Sequence, residues 1–350
     1  MKDLKYILAY TIPCSAFLAI YLQGAWSYST IIYAFVIVPV LEVFLPQPTE
    51  NLAAEERAEK LKSKFFDYLL YLNLPIIGIL LVYYFQTIAT TLLTTAEITG
   101  LTLSMGTMLG ACGINVAHEL GHRADKGEQL LAKILLLPEL YMHFFIEHNR
   151  GHHKNIATDL DPASAKYGEP LQLFWLRSVF GGYRNAWILE AQRLQRKGRS
   201  ILSWQNEMLR FQAIQLAYLV SIGLIWNWRV MGFAVLVAVI AFLLLETINY
   251  IEHYGLRRKK LASGRYEKVN VQHSWNSNHE FGRIILYELT RHSDHHFKSN
   301  KKYQILDHHN TSPQLPLGYP TSMLMALVPP LWFAVMDREV KQYKARLEVG

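Results

Sequence analysis

Six apolar runs, each near twenty residues, limit what this chain can fold into. They lie at roughly 6–23, 28–45, 68–85, 98–117, 211–227 and 230–249. An α-helix needs ~20 residues to cross a hydrocarbon layer ~30 Å thick. Lipid offers no partner to a free backbone amide, so runs of this kind must be helical. A hydrophobic fraction of 51% over 350 residues is high for a soluble protein, and its bunching is the membrane signal. The expected fold class is therefore all-α, a polytopic membrane protein of about six transmembrane helices. Residues 1–350 are expected to form one membrane-embedded domain. Pro13, Pro39 and Pro75 fall inside runs, where membrane helices tolerate proline better than soluble ones do. The first run has no clear small-residue cleavage site after it and is expected to be retained as a span.

Loop charge orients the bundle. The 46–67 connection carries Arg57, Lys60, Lys62 and Lys64, whereas 24–27 and 86–97 carry no Lys or Arg and 227–229 only Arg229. Most remaining basic residues lie in the long stretches 118–210 and 250–350. With both termini inside, every basic stretch falls on the cytoplasmic side and the three sparse turns fall outside. This asymmetry accounts for the net charge of +7; no nucleic-acid motif appears. The apolar stretch 130–146 is broken by Pro138, Glu139 and His143. It is expected to be a buried or interfacial helix, because crossing would put the polar clusters on either side of it on opposite leaflets. The 322–336 stretch, with Pro329 and Pro330, is expected to cap the bundle near the membrane surface.

Nine of the fourteen histidines are clustered: His118 and His122 in HELGH; His148, His152 and His153 in HNRGHH; His253 after Glu252; and His292, His295 and His296 in HSDHH. Neutral imidazole is a strong ligand for borderline transition metals, and spacings of three or four residues put two rings on one helix face. Nine rings exceed one ion's needs, so the pattern points to a two-metal site at the cytoplasmic edge. Glu246, Asn249 and His253 share a helical stripe at the end of the sixth run. Such a stripe is costly in a membrane unless it faces a site or cavity. Acids near the rings would offset the cations' charge and orient the imidazoles. The candidates are Glu119, Glu147, Asp159, Asp161, Glu252 and Asp294, with Glu246 and Asn249 beside them. His143, His273, His279, His308 and His309 lack partners at ligand spacing and receive no metal role. HELGH alone also fits a zinc-peptidase pattern, but that reading leaves most of the clustered histidines unexplained.

These residues resemble a known family. HELGHR, EHNRGHH, DPASAKYGE, NYIEHYGL, HSWNSNHE, TRHSDHH and PQLPLGYP occur here in the order seen in the integral-membrane alkane 1-monooxygenases. That family lies within the histidine-box membrane desaturases and hydroxylases. The resemblance implies a bacterial inner-membrane enzyme with a cytoplasmic non-haem di-iron site. The implied ligands are His118, His122, His148, His152, His153, His253, His292, His295 and His296, with no catalytic residue beyond them. It further implies O2-dependent hydroxylation of the terminal methyl group of medium- to long-chain alkanes drawn from the bilayer. Rubredoxin would supply the electrons, with rubredoxin reductase and NAD(P)H upstream. Related desaturases or hydroxylases of fatty acyl, sterol or methylarene substrates use the same core and remain the alternative. Two departures stand out: Arg123 replaces the family's lysine, and Phe297 replaces a small residue. Cys14 and Cys112, both in apolar runs, are too few for a built-in rubredoxin or zinc ribbon, each needing four thiolates. The donor must therefore be a separate protein. Phe17, Tyr21 and Tyr33 are candidates for setting the depth of a substrate tunnel.

Overall fold

Backbone amides that lipid cannot satisfy are satisfied here within helices. A computed structural model describes residues 2–349. Among these residues the only β-structure is two isolated bridges. In chain order the main helices are α1 (Asp3–Leu22), α2 (Gly24–Phe44), α3 (Phe65–Thr90) and α4 (Thr95–Gly121). Then come α5 (Lys126–Leu135), α6 (Leu171–Arg196), α7 (Glu207–Ile225) and α8 (Trp228–His253). The chain closes with α9 (His292–Phe297), α10 (Tyr319–Ala326) and α11 (Pro329–Val349). Six of them, α1 to α4, α7 and α8, are long and apolar enough to cross a membrane.

Helix α4 is the axis of the bundle: 94% of its apolar window is buried, against 22–44% for the other five. Its small residues explain this. A Cβ on Gly106 would lie 2.5 Å from Ile240, and one on Gly110 2.7 Å from Leu244, with carbonyls of α8 at 3.1 Å from each. Helices in lipid gain little from hydrophobicity, so close backbone approach and van der Waals packing hold them together. Thr94 and Glu97 start α4 with a reciprocal capping box, which satisfies two amides that would otherwise lack partners. At the other extreme, α2 presents Val36, Val40, Val43 and Phe44 outward, as a lipid-facing helix does.

All the long connections gather at one end of the bundle. There Lys5 pairs with Glu280 at 2.8 Å, Arg57 with Asp307 at 2.6 Å and Lys60 with Asp3. The Tyr6 hydroxyl donates to Glu288 at 2.6 Å. These bonds tie the start of α1 and the 46–64 connection to the segment 280–307. The links α1–α2, α3–α4 and α7–α8 are short and lie at the opposite end. Tyr343 of α11 donates to the Thr311 carbonyl at 3.0 Å, so the first and last described helices both meet the end that carries the long connections.

Three local outcomes refine the sequence reading. The 130–146 stretch is not one helix: α5 stops at Leu135, and the chain turns through Pro138 and Leu140, whose φ is 52°. Leu135, Leu136, Glu139 and Tyr141 are buried, so the stretch is interior rather than interfacial. The helix with an exposed apolar stripe is α6, where Leu173, Leu176 and Phe180 recur at helical spacing. The 322–336 stretch is split between α10 and α11, and Pro329 begins α11, where a missing N–H costs little. Leu324, Leu327, Val328 and Leu331 there are exposed.

Candidate metal centre

Helix α4 ends in the first pair of rings. His118 and His122 are four residues apart, their ring centroids 5.0 Å from each other. The next three histidines follow a different rule. Residues His148–His152 form a π turn, in which residues five apart, not four, come into register. His148 and His153 therefore meet, Nε2 to Nε2 at 3.0 Å, and His152 is turned to the other side. Helix α9 divides its rings similarly. His292 and His296 meet edge-on one turn apart, Nε2 to Nε2 at 2.8 Å, and His295 lies beside His153 at 3.2 Å. His253, at the end of α8, approaches His292 at 3.3 Å.

The nine rings thus form two groups. His118, His122, His148, His153 and His295 make one; His152, His253, His292 and His296 make the other. Within each group the ring nitrogens lie within 4.8 Å of one another. Packing does not explain this convergence: His118 and His152 each bury an Nε2 that has no hydrogen-bond partner, and buried polar atoms are rarely left so. Burial, reinforced by neighbouring rings, pushes His122 down to about 3. The same causes hold His148, His153, His292, His295 and His296 well below the ordinary imidazole range. A neutral ring with a free lone pair is what a metal needs. His152 differs. Burial alone would lower it, but the Asp161 carboxylate raises it.

That carboxylate is the clearest ring-orienting partner. Asp161 accepts from His152 Nδ1 at 2.9 Å and is fixed by Ser164 Oγ at 2.6 Å and the Ala163 amide at 3.1 Å. This leaves His152 Nε2 facing its group. Glu252 enters the site itself: one carboxylate oxygen is 3.1 Å from His292 Nε2, and the other accepts from the Tyr319 hydroxyl at 2.7 Å. Glu246 and Glu147 lie one layer away. Glu246 is bonded to Tyr141, Ser178 and Asn249, and Glu147 to Asn185.

Three other proposed acids face basic residues instead of a candidate ring. Glu119 accepts twice from Arg123, at 3.0 and 2.7 Å, and once from the Tyr303 amide at 3.2 Å. Asp159 is exposed and lies 3.9 Å from Arg257. Asp294, although buried, is taken by Lys301, His309 and the Asp307 amide. In each case a basic residue lies nearer than the rings. The five remaining histidines join neither group. His143 is buried alone, His273 faces Glu267, His279 bonds Ser277 and Gln47, His308 bonds Asn310, and His309 bonds Asp294.

Between the two groups opens a narrow slot edged by His118, His148 and His292, with Asn249 and Glu252 at its polar rim. Its walls are Gly110, Phe144, Leu245, Ile248 and Leu289. Ile248 also lines a second, apolar pocket that runs past Ala111 and Leu244 to Tyr33 and Phe35 on α2. Ile248 is the one residue that lines both cavities, so its side chain lies between the slot and the apolar pocket.

Comparison with known proteins adds a decisive match. Residues 94–322 fit the family model described as fatty acid desaturase. Alkane 1-monooxygenase 1 of Pseudomonas aeruginosa is 41% identical over 332 residues, 91% of this chain and 84% of that protein. This chain belongs to the alkane 1-monooxygenase family. Alkane 1-monooxygenase 2 of the same organism is 39% identical over 324 residues, covering 92% of this chain and 86% of the relative. The alkane 1-monooxygenase of Acinetobacter baylyi is 38% identical over 313 residues, covering 89% and 76%. Within this family's pattern, the chain's two departures can now be placed. Arg123 bridges Glu119 and Asp67, at 3.1 Å from the latter, and so fastens the end of α4 to α3. Phe297 points away from the rings, half exposed beside His309. Of the three tunnel candidates, only Tyr33 lines the apolar pocket; Phe17 and Tyr21 stack on each other on the outer face of α1.

Proposed function

We propose that this chain hydroxylates the terminal methyl group of medium- to long-chain alkanes to give 1-alkanols, using O2 and two electrons. The observation that carries this reading is the apolar slot between two groups of imidazoles. The donor set fits two irons: the nine rings would hold them, five at one position and four at the other. Iron bound there would supply the one-electron oxidising power toward a C–H bond that no side chain possesses. The chain's own residues do the rest. Phe144, Leu245, Ile248 and Leu289 hold the last carbons of the substrate and exclude water, so that its terminus meets the rings end-on. The apolar pocket leading to Tyr33 admits a substrate that partitions into lipid. Asp161 keeps His152 in the tautomer that presents Nε2.

An external donor is part of the proposal, since two cysteines cannot build an electron-transfer cluster. Rubredoxin, fed by its reductase and NAD(P)H, is the donor class we infer. The basic stretch Arg257–Lys268 would attract an acidic protein of that kind. We place the rings and both termini on the cytoplasmic side of a bacterial inner membrane, as the loop charges favour. A zinc-peptidase reading is disfavoured by Glu119, whose carboxylate is bound by Arg123 and cannot serve as a free base.

The test is direct. Iron-loaded protein is incubated with rubredoxin, its reductase, NADH and a mixed series of alkanes, and the products are identified. Terminal alcohols with about two irons per chain are expected. Alkenes from acyl substrates would move the chain to the desaturases, and a single zinc would end the di-iron reading.

A further inference from the structure

Behind the five-ring group lies a side chamber with room for about one water molecule. Tyr141, His143, Glu147, Ser178, Glu246 and Asn249 form its polar lining. Phe144, His148 and Asn249 line both this chamber and the slot. Glu246 is the hub. It is 3% exposed and accepts from Tyr141 Oη at 2.8 Å, Ser178 Oγ at 2.5 Å and Asn249 Nδ2 at 3.3 Å. His143 also lines the chamber, 5% exposed, and its Nε2 has no hydrogen-bond partner. A polar hollow of this size with several buried polar groups is where a structural water belongs. On its outer side the lining changes to Pro162, Ala163 and Gly182. Of these three, Pro162 is half-buried and Ala163 and Gly182 are buried.

The proposed reaction makes a demand that the slot does not meet. Hydroxylation balances as RH + O2 + 2 e⁻ + 2 H⁺ → ROH + H2O. One C–H bond and the O–O bond break, a C–O bond forms, and one oxygen leaves as water. The donor supplies the electrons, and both protons come from solvent. The rings, the apolar walls and the polar rim of the slot, Asn249 and Glu252 included, are all buried, so those protons need a separate way in.

We propose that the side chamber is this proton route: a water held between His143 and Glu246 passes protons by way of the Glu246 carboxyl, past Asn249, into the slot. The inference rests on the alkane-hydroxylase reading of the site. Glu246 acts through water and is a positioning residue; it touches neither the rings nor the substrate.

Glu246→Gln keeps the side chain's size and an acceptor for Tyr141 but has no acid proton to pass on. The variant is expected to keep about two irons per chain and an unchanged KM for alkane, and to lose on the order of 10²-fold in kcat. Oxygen consumed should appear as peroxide rather than alkanol, and the solvent deuterium isotope effect on kcat should exceed that of the wild type. Gly182→Val tests the route by filling the chamber. A Cβ at Gly182 meets only Glu147 Cγ, at 3.8 Å, so the first added carbon fits, and the same uncoupling is expected. Loss of iron from both variants would assign the chamber a structural role and overturn the route. Wild-type coupling in Glu246→Gln or in Gly182→Val would overturn it equally. A wild-type protein that forms no alkanol would instead refute the functional reading itself.

Discussion

At the scale of single residues, the Asp161–His152 pair does the most to shape the site. A carboxylate that accepts a ligand's second N–H fixes both its tautomer and its aim, and its loss typically lowers metal affinity ~10–100-fold. Asp161→Asn is therefore expected to lower iron affinity by about that factor while leaving the six spans intact; iron content after dialysis against graded chelator measures it. The pH response follows from buried rings. His122 and His143 are both pushed down by burial to about 3, whereas an unfolded chain titrates its histidines near ~6.5. As pH falls below that value, the unfolded state takes up protons that the folded state refuses, so stability is lost. The slope is about 1.4 kcal/mol per pH unit for each such ring, down to the folded pKa. His152, which Asp161 raises, opposes this as a single ring. Metal-free protein in detergent should show a Tm that drops steadily from pH 7 to pH 5. A flat profile would mean that these rings are already solvated.

At the scale of elements, what the sequence disclosed depended on how local the governing force was. The six spans were legible because lipid imposes a length and a polarity on each one separately. The pairs His118/His122 and His292/His296 were legible because α-helical spacing brings them together. The trio His148, His152 and His153 was not, because its π turn pairs residues five apart and nothing in the spacing announces that winding. Helix α6 was also missed. Its mixed composition hides the apolar stripe of Leu173, Leu176 and Phe180 among charges. The ring-supporting acids were hardest to read, since whether Asp294 faces a ring or Lys301 depends on folding of the next loop. Close packing of α4 on α8 makes its own forecast. Gly106→Leu would drive a side chain into Ile240 and the Val237 carbonyl. Overpacking of this kind costs about 1–3 kcal/mol, and here it would also part the helices that deliver His118 and His253. A lower Tm together with lost iron is expected, and unchanged values of both would contradict the assigned packing.

At the scale of the whole molecule, one apolar cluster extends from Tyr6 to Tyr343, and the long connections converge on the ring-bearing end. The topology can be checked from outside the cell. In a background without Cys14 and Cys112, a cysteine at exposed Leu92, in the short α3–α4 link, should react with an impermeant thiol reagent on intact spheroplasts. One at exposed Lys62, in the long α2–α3 connection, should react only after the membrane is opened. Reversal of that pattern would invert the bundle. The division of the histidine turns has a different consequence. The turn 148–153 and helix α9 each send rings to both groups, so neither metal position can be tightened without tugging on ligands of the other. Under the two-iron reading, partly filled protein would be a scarce species: a chain that has captured its first ion has already drawn the claws into shape for the second.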